Sequence, residues 1–286
     1  MMNHFSNPVL LKELKLRFRA FKSFSGLMFY LVVLCIFVAG FLLVYTQFTG
    51  TGFFRPSESF AMFAVLSMLQ MGLVMFITPG LTAGAISTER EKQTLNILLT
   101  TTQSSSQIII GKLLSSVAFL ILLLIAGLPL YSLVFLFGGV SPSQLITIFL
   151  LYLLTLIAIG SIGIMFSTIT KKTIVSMIAT YGAMIFLAGI TAFFFFIGMS
   201  MEQMSMAQGT PTNQTPFSPI TYFWASINPG ALMLTILYPD LATSLESLVG
   251  ISLPIWIVYI IFYCLITILC LAIAIRKLRA NMKTNR

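Results

Sequence analysis

Few residues of this 286-residue chain could do covalent or metal chemistry. The one histidine is His4, the cysteines are Cys35, Cys264 and Cys270, and none of these form a cluster with metal-ligand spacing. A single histidine in a terminal tail cannot complete a Ser/His/Asp or Cys/His arrangement, so protease or transferase chemistry is not expected. A phosphate-binding loop is missing too: Gly111-Lys112 runs into Leu113 rather than Ser or Thr, and Ser106 stands where the earlier glycine belongs. What remains is recognition, and it concentrates in Thr88–Lys112 (TEREKQTLNILLTTTQSSSQIIIGK). Thr88 as N-cap and Glu91 at the third helical position form a capping box, with Glu89 and Glu91 favourable at the positive end of the helix dipole. Leu95, Leu98 and Leu99 then recur at helical spacing. The pattern predicts a short helix over 88–101 that carries Glu89, Arg90, Glu91 and Lys92 in its first turn and has one charged face and one apolar face, the latter made by the leucines. Such a helix suits contact with a partner; the plainer reading has its leucines packed on the protein's own helices.

The elements that position this cassette are membrane helices. Charged residues make up only 8% of the chain and mean hydropathy is +1.02, far from a soluble domain of this length. Apolar runs long enough to cross a hydrocarbon core, about 20 residues each, fall at Ser25–Thr46, Ser59–Ile86, Leu113–Phe137, Gln144–Thr168, Ile174–Met199 and Gly250–Ile275. They leave no room for a separate soluble domain, so residues 1–286 read as one transmembrane domain. The first run is too long for the apolar core of a signal peptide and reads as a retained span. Lys12, Lys15, Arg17, Arg19 and Lys22, then Arg90, Lys92 and Lys112, then Lys171 and Lys172, then Arg276 to Arg286, all fall on one side of a six-span topology; Arg55 alone falls on the other. The positive-inside rule then places both termini in the cytoplasm. Topology and anionic headgroups account for the net charge of +9, so nucleic-acid binding is not needed to explain it.

Asn7 and Pro8 start a helix before the first span. Leu10, Leu11, Leu14, Phe18 and Phe21 share one arc of it, and Lys12, Lys15, Arg19 and Lys22 much of the other. The pattern predicts an interfacial helix over 7–24, apolar face in lipid and basic face toward headgroups. Thr78-Pro79-Gly80 and Gly127-Leu128-Pro129 mark breaks in spans two and three. Gly160, Gly163, Gly182 and Gly189 suit close helix packing. Ser67, Gln70 and Thr78 are the polar residues of span two, expected to bond between helices. The cysteines all lie in spans and read as small apolar fillers. Residues 200–249 form the long external segment. Its apolar stretch Ile220–Tyr238 is broken by Asn228-Pro229-Gly230 and reads as a re-entrant hairpin rather than a seventh span, which would carry the basic C-terminal run outside. Asn213-Gln214-Thr215 matches a glycosylation sequon by chance composition.

The chain resembles the ABC-2 type permeases, the membrane subunits of ABC exporters with the six-span architecture of the G-subfamily transporters and bacterial polysaccharide exporters. Asn7–Arg19 is similar to that family's amphipathic connecting helix. Ala83–Lys112 is similar to its pattern of Glu-Arg-Glu, Thr-Leu, Leu-Leu and Gly-Lys, here Glu89, Arg90, Glu91, Thr94, Leu95, Leu98, Leu99, Gly111 and Lys112. Gln93 replaces a common glycine, Asn96 an acid, Thr102 a proline and Gln107 an acid. The resemblance implies that the loop between spans two and three is the coupling helix seated in a groove of an ATP-binding subunit. It also implies that two permease chains, identical or homologous, pair around a central path.

The fold expected is therefore all-α and integral to the membrane: six spans, an interfacial helix, a re-entrant external segment before span six, both termini cytoplasmic. The function expected is the permease subunit of an ATP-driven exporter in a bacterial plasma membrane, not itself an enzyme, with ATP and Mg on the partner subunit. Its coupling residues would be Glu89, Arg90, Glu91, Lys92, Leu95 and Leu98; its membrane-interface residues Leu10, Leu14, Lys15, Phe18, Arg19 and Lys22. A membrane scaffold or sensor that binds an ATPase-like partner without transport is the alternative. A secondary carrier is disfavoured, because such carriers use intramembrane charges and these spans have none.

Overall fold

The computed structural model describes residues 8–19, 21–49, 56–95, 103–207, 218–249 and 254–284. Among them are helices and turns and no strand. Among the described residues, six helices or composite helices are long and apolar enough to cross a membrane, where the sequence places them. The first elements are α1 (Pro8–Arg19), α2 (Phe21–Thr49), α3 (Pro56–Thr82) and the short α4 (Ser87–Glu91). Two long helices follow, α5 (Ser105–Phe137) and α6 (Pro142–Ile169). The N-cap expected at Asn7 lies outside the described residues.

Pro79 and Pro129 both lie inside continuous helices, α3 and α5. α5 starts eight residues before the apolar run that predicted it, because Ser104 and Gln107 form a capping box: Gln107 N–H donates to Ser104 Oγ (3.3 Å) and Ser104 N–H to Gln107 Oε1 (3.0 Å). Ser141 and Gln144 repeat the device ahead of α6, with Pro142 at its first position. The early start moves Lys112 from a loop into the body of α5.

Span five is composite: α7 (Thr173–Ile185), a π-helical turn (Phe186–Ile190) and α8 (Thr191–Ala207). The segment after it holds α9 (Ser218–Ile227), α10 (Pro229–Leu237) and α11 (Pro239–Val249), before α12 (Ile255–Thr284) closes the fold. α9 and α10 are bent 96° from one another at Asn228, the broken apolar pair that the sequence predicts. α11 was not foreseen.

The most apolar windows of α5, α6 and the α3–α4 span are 67%, 56% and 50% buried, against 17% for α2 and for span five. α3, α5 and α6 thus form the centre, and the others present apolar side chains outward. In lipid, packing and hydrogen bonds hold helices together rather than a hydrophobic drive. The α3–α6 contact shows how. A Cβ on Gly163 would lie 2.2 Å from Thr82 Oγ1, so only glycine admits this approach, and Thr82 donates to its own helix at the Thr78 carbonyl (2.9 Å). Tyr152 on α6 donates to the Ser67 carbonyl on α3 (2.8 Å), and Thr155 lies 2.6 Å from the Tyr259 hydroxyl on α12.

Candidate functional site

The cassette begins where α3 ends. Neither Thr88 nor Glu91 caps α4 as expected. Its N-cap is Ile86, which makes no side-chain cap; instead the backbone N–H groups of Ile86 and Ser87 both donate to Ser167 Oγ of α6 (2.8 and 2.9 Å). A donor-hungry helix start is satisfied here from a neighbouring helix rather than locally. Thr88 Oγ1 lies 3.3 Å from Thr173 Oγ1. Nor is the helix continuous over 88–101. It ends at Glu91, a turn follows through Lys92 and Gln93, and Leu95 is helical again. Gln93 holds φ at +58°, the left-handed region that favours glycine. Leu98 and Leu99 lie outside the described residues.

Glu89, Arg90 and Glu91 each bind a different element. Arg90 donates from Nη2 to the Thr168 carbonyl (3.0 Å) and from Nη1 to that of Thr170, placing a cation on the negative end of α6. Glu91 accepts from the Thr173 backbone N–H (2.9 Å) and from Thr173 Oγ1 (2.7 Å), so it caps the start of α7 instead of its own helix. Glu89 accepts from Thr94 Oγ1 and pairs with Lys112 Nζ (3.4 Å). Lys112 also pairs with Glu13 of α1 (2.9 Å), and its side chain is only 6% exposed. One loop is thereby tied to α1, α5, α6 and α7.

α1 packs against α5, with Phe18 and Phe119 ring centroids 6.4 Å apart. This changes the expected division of its faces. Leu10, Glu13, Leu14 and Arg17 are half-buried and recur at the i, i+3, i+4, i+7 spacing of one helix face, while Leu11, Lys12, Lys15, Leu16, Phe18 and Arg19 are exposed. Leu10 and Leu14 therefore do not share the exposed arc with Leu11 and Phe18. The ion pair from Glu13 to Lys112 turns the helix, overriding an assignment based on apolarity alone. Burial lowers the Arg17 guanidinium from its ordinary value, with the charge of Glu13 opposing, and its Nη1 has no partner. The side chain of Lys22 lies outside the described residues.

Leu95, expected to anchor a partner, is 7% exposed and belongs to the chain's own apolar core. The turn at Lys92–Thr94 precedes it and separates it from the charged helix. The exposed part of the loop is instead Glu91, Lys92 and Gln93. No group of three His, Cys, Asp or Glu that could hold a metal occurs among the described residues.

Asn228, which the sequence marks only as part of a break, fixes the bent pair. Its Oδ1 accepts from the Ala231 N–H (2.8 Å), capping α10, and its Nδ2 donates to the Ala188 carbonyl and to Thr191 Oγ1 (2.7 Å each). Ala188 lies in the π-turn, where i→i+5 bonding disturbs the regular ladder. Beside this joint, two apolar grooves of about 670 and 280 Å³ share Met68, Gly72 and Leu234. Asn-Pro-Gly was the available signal, legible as a break but not as a latch.

The family model described as ABC-2 family transporter protein matches residues 44–276, leaving α1 outside the match. Among curated proteins no match is found. Matched over most of its length and built from six membrane-length helices, the chain belongs to the ABC-2 transporter family, as a multi-pass membrane permease of an ABC transporter and a transport component rather than a catalytic one.

Proposed function

We propose that this chain is the transmembrane half of an ATP-driven exporter. It pairs with a second permease chain, identical or homologous, in a bacterial plasma membrane, and receives a separate ATP-binding subunit at its basic end. Both termini then lie in the cytoplasm. ATP and Mg stay on the partner, and residues 1–286 act as one transmembrane domain. The observation that carries this reading is the knot around α4: a displacement of that loop reaches four helices through Glu89, Arg90, Glu91 and Lys112. A loop that merely connected two spans would need none of those bonds. Glu91, Lys92 and Gln93 supply the contact surface, with Leu98 as a further candidate, and Leu95 supports them from below. The apolar grooves along α3 suit a hydrophobic or amphipathic cargo.

Purification of the tagged chain from its own host's membranes tests the reading. The wild type brings down a subunit with vanadate-sensitive MgATP hydrolysis, and Lys92→Glu loses that activity while accumulating normally in the membrane. Wild-type chain that carries no MgATP hydrolysis above background contradicts the reading, and a bound ATPase whose hydrolysis no candidate solute stimulates leaves the scaffold.

A further inference from the structure

At the junction of α2, α3 and α5, three buried side chains carry polar atoms with no partner in the protein: the Tyr30 hydroxyl, the Ser67 hydroxyl, and both ends of the Gln70 amide. These residues are 1%, 0% and 0% exposed. Native interiors rarely leave such groups unpaired, because burial removes their water without replacing it. Ser67 and Gln70 lie three positions apart on α3 and so share a face. Opposite them α5 carries Gly127. A Cβ there would lie 3.1 Å from the Tyr30 hydroxyl and 3.5 Å from Gln70 Oε1, with Leu34 Cδ1 also at 3.5 Å. Polar atoms from two helices thus close in on the bare Cα of Gly127, where any side chain would crowd them. One turn further along α5, the Tyr131 hydroxyl lies 3.4 Å from that of Tyr152, which donates to the Ser67 carbonyl (2.8 Å). The polar patch therefore continues across the centre of the bundle, and the Tyr30 hydroxyl and Gln70 amide at its other end are without partners.

We propose that this junction is an internal hydration site, in which ordered water bridges Tyr30, Gln70 and Ser67. The chemistry selects water over an ion. The groups are neutral, they offer both donors and acceptors, and no charged side chain faces them to balance an ion at this depth. A buried water typically makes about three hydrogen bonds to groups otherwise unsatisfied, and this junction supplies that number of side chains. Water also lets α2 and α3 shift against each other with their polar edges satisfied, which a direct side-chain bond would resist.

X-ray radiolytic footprinting of the intact protein in lipid nanodiscs tests this, because a bound water forms hydroxyl radicals in place and burial does not shield its neighbours. Tyr263 is the internal control: it is 0% exposed, and its hydroxyl donates to the Ile227 carbonyl at 3.0 Å. Tyr30 is expected to be oxidised at least about fivefold faster than Tyr263, as a side chain bonded to buried water would be. Gly127→Ala, whose methyl presses on the Tyr30 hydroxyl and the Gln70 amide and so displaces a water between them, brings Tyr30 down to the Tyr263 rate. Gln70→Leu does the same by removing the bridging amide, and it decides the matter where Gly127→Ala fails to accumulate. A wild-type Tyr30 rate no faster than that of Tyr263 overturns the proposal, as does a fast Tyr30 rate unchanged by the substitutions.

Discussion

Lys112 lies 2.9 Å from Glu13 and 3.4 Å from Glu89, and those carboxylates keep 25% and 33% side-chain exposure. Removing one partner of a fully buried ion pair costs roughly 3–5 kcal/mol, because the remaining charge stays desolvated. Here the carboxylates retain water, so we expect Lys112→Met to cost about 2 kcal/mol, and Glu13→Gln less. Thermal unfolding of the purified protein in detergent reads this directly; an unchanged midpoint for Lys112→Met would remove the ion pair from the account. Gln93 offers a second test. Left-handed backbone costs a non-glycine residue roughly 1–2 kcal/mol, and a β-branched one is worse placed. Gln93→Gly should therefore be at least as stable as the wild type and Gln93→Val clearly less so. Equal stability of the two variants would show that the loop does not hold this conformation. The residues involved were legible in the sequence as a charged cassette, but their partners were not. Glu91 bonds Thr173 and Arg90 bonds Thr168 and Thr170, about eighty positions away. Local capping rules assigned Thr88 and Glu91 to each other because they see only neighbours.

The spans were legible because a run of about 20 apolar residues has one physical destination. Their boundaries were read less well where polar residues extend a helix. Ser104 and Gln107 carry a capping-box pattern that an apolar run beginning at Leu113 does not reveal. The bent α9–α10 pair was legible from Asn-Pro-Gly, whereas the π-turn that receives Asn228 has no sequence signature of its own. The latch can be broken selectively. Asn228→Ala removes an N-cap, which alone costs on the order of 1 kcal/mol, together with both bonds from Nδ2. The α9–α10 joint should then open to protease or thiol probes at temperatures where the wild type resists. Asn228→Asp, which keeps the cap but loses both donors, should fall between the two. Identical resistance in all three would mean that packing alone holds the hairpin. The face of α1 illustrates the opposite case, in which one ion pair to α5 overrode a reading based on apolar periodicity.

At the scale of the molecule, three central helices carry the packing, and one loop ties two of them, α5 and α6, to α1 and α7. Topology can be tested without knowledge of the cargo. A cysteine at exposed Thr243 of α11 should react with an impermeant thiol reagent from outside intact cells, and one at exposed Lys171, between α6 and α7, should react only after permeabilisation. The reverse pattern would invert the protein and detach the basic end from the ATPase. In the proposed exporter, a change at α4 passes through the Lys112 knot to the far end of the bundle. The measurement closest to it is the thiol reactivity of Thr243→Cys in the assembled complex, with and without vanadate trapping of the ATPase. Trapping is expected to change this reactivity in an otherwise wild-type chain. The change is expected to be lost in Lys112→Met even though the ATPase stays bound. A chain in which trapping alters Thr243→Cys equally with and without Lys112, or not at all, contradicts this transmission.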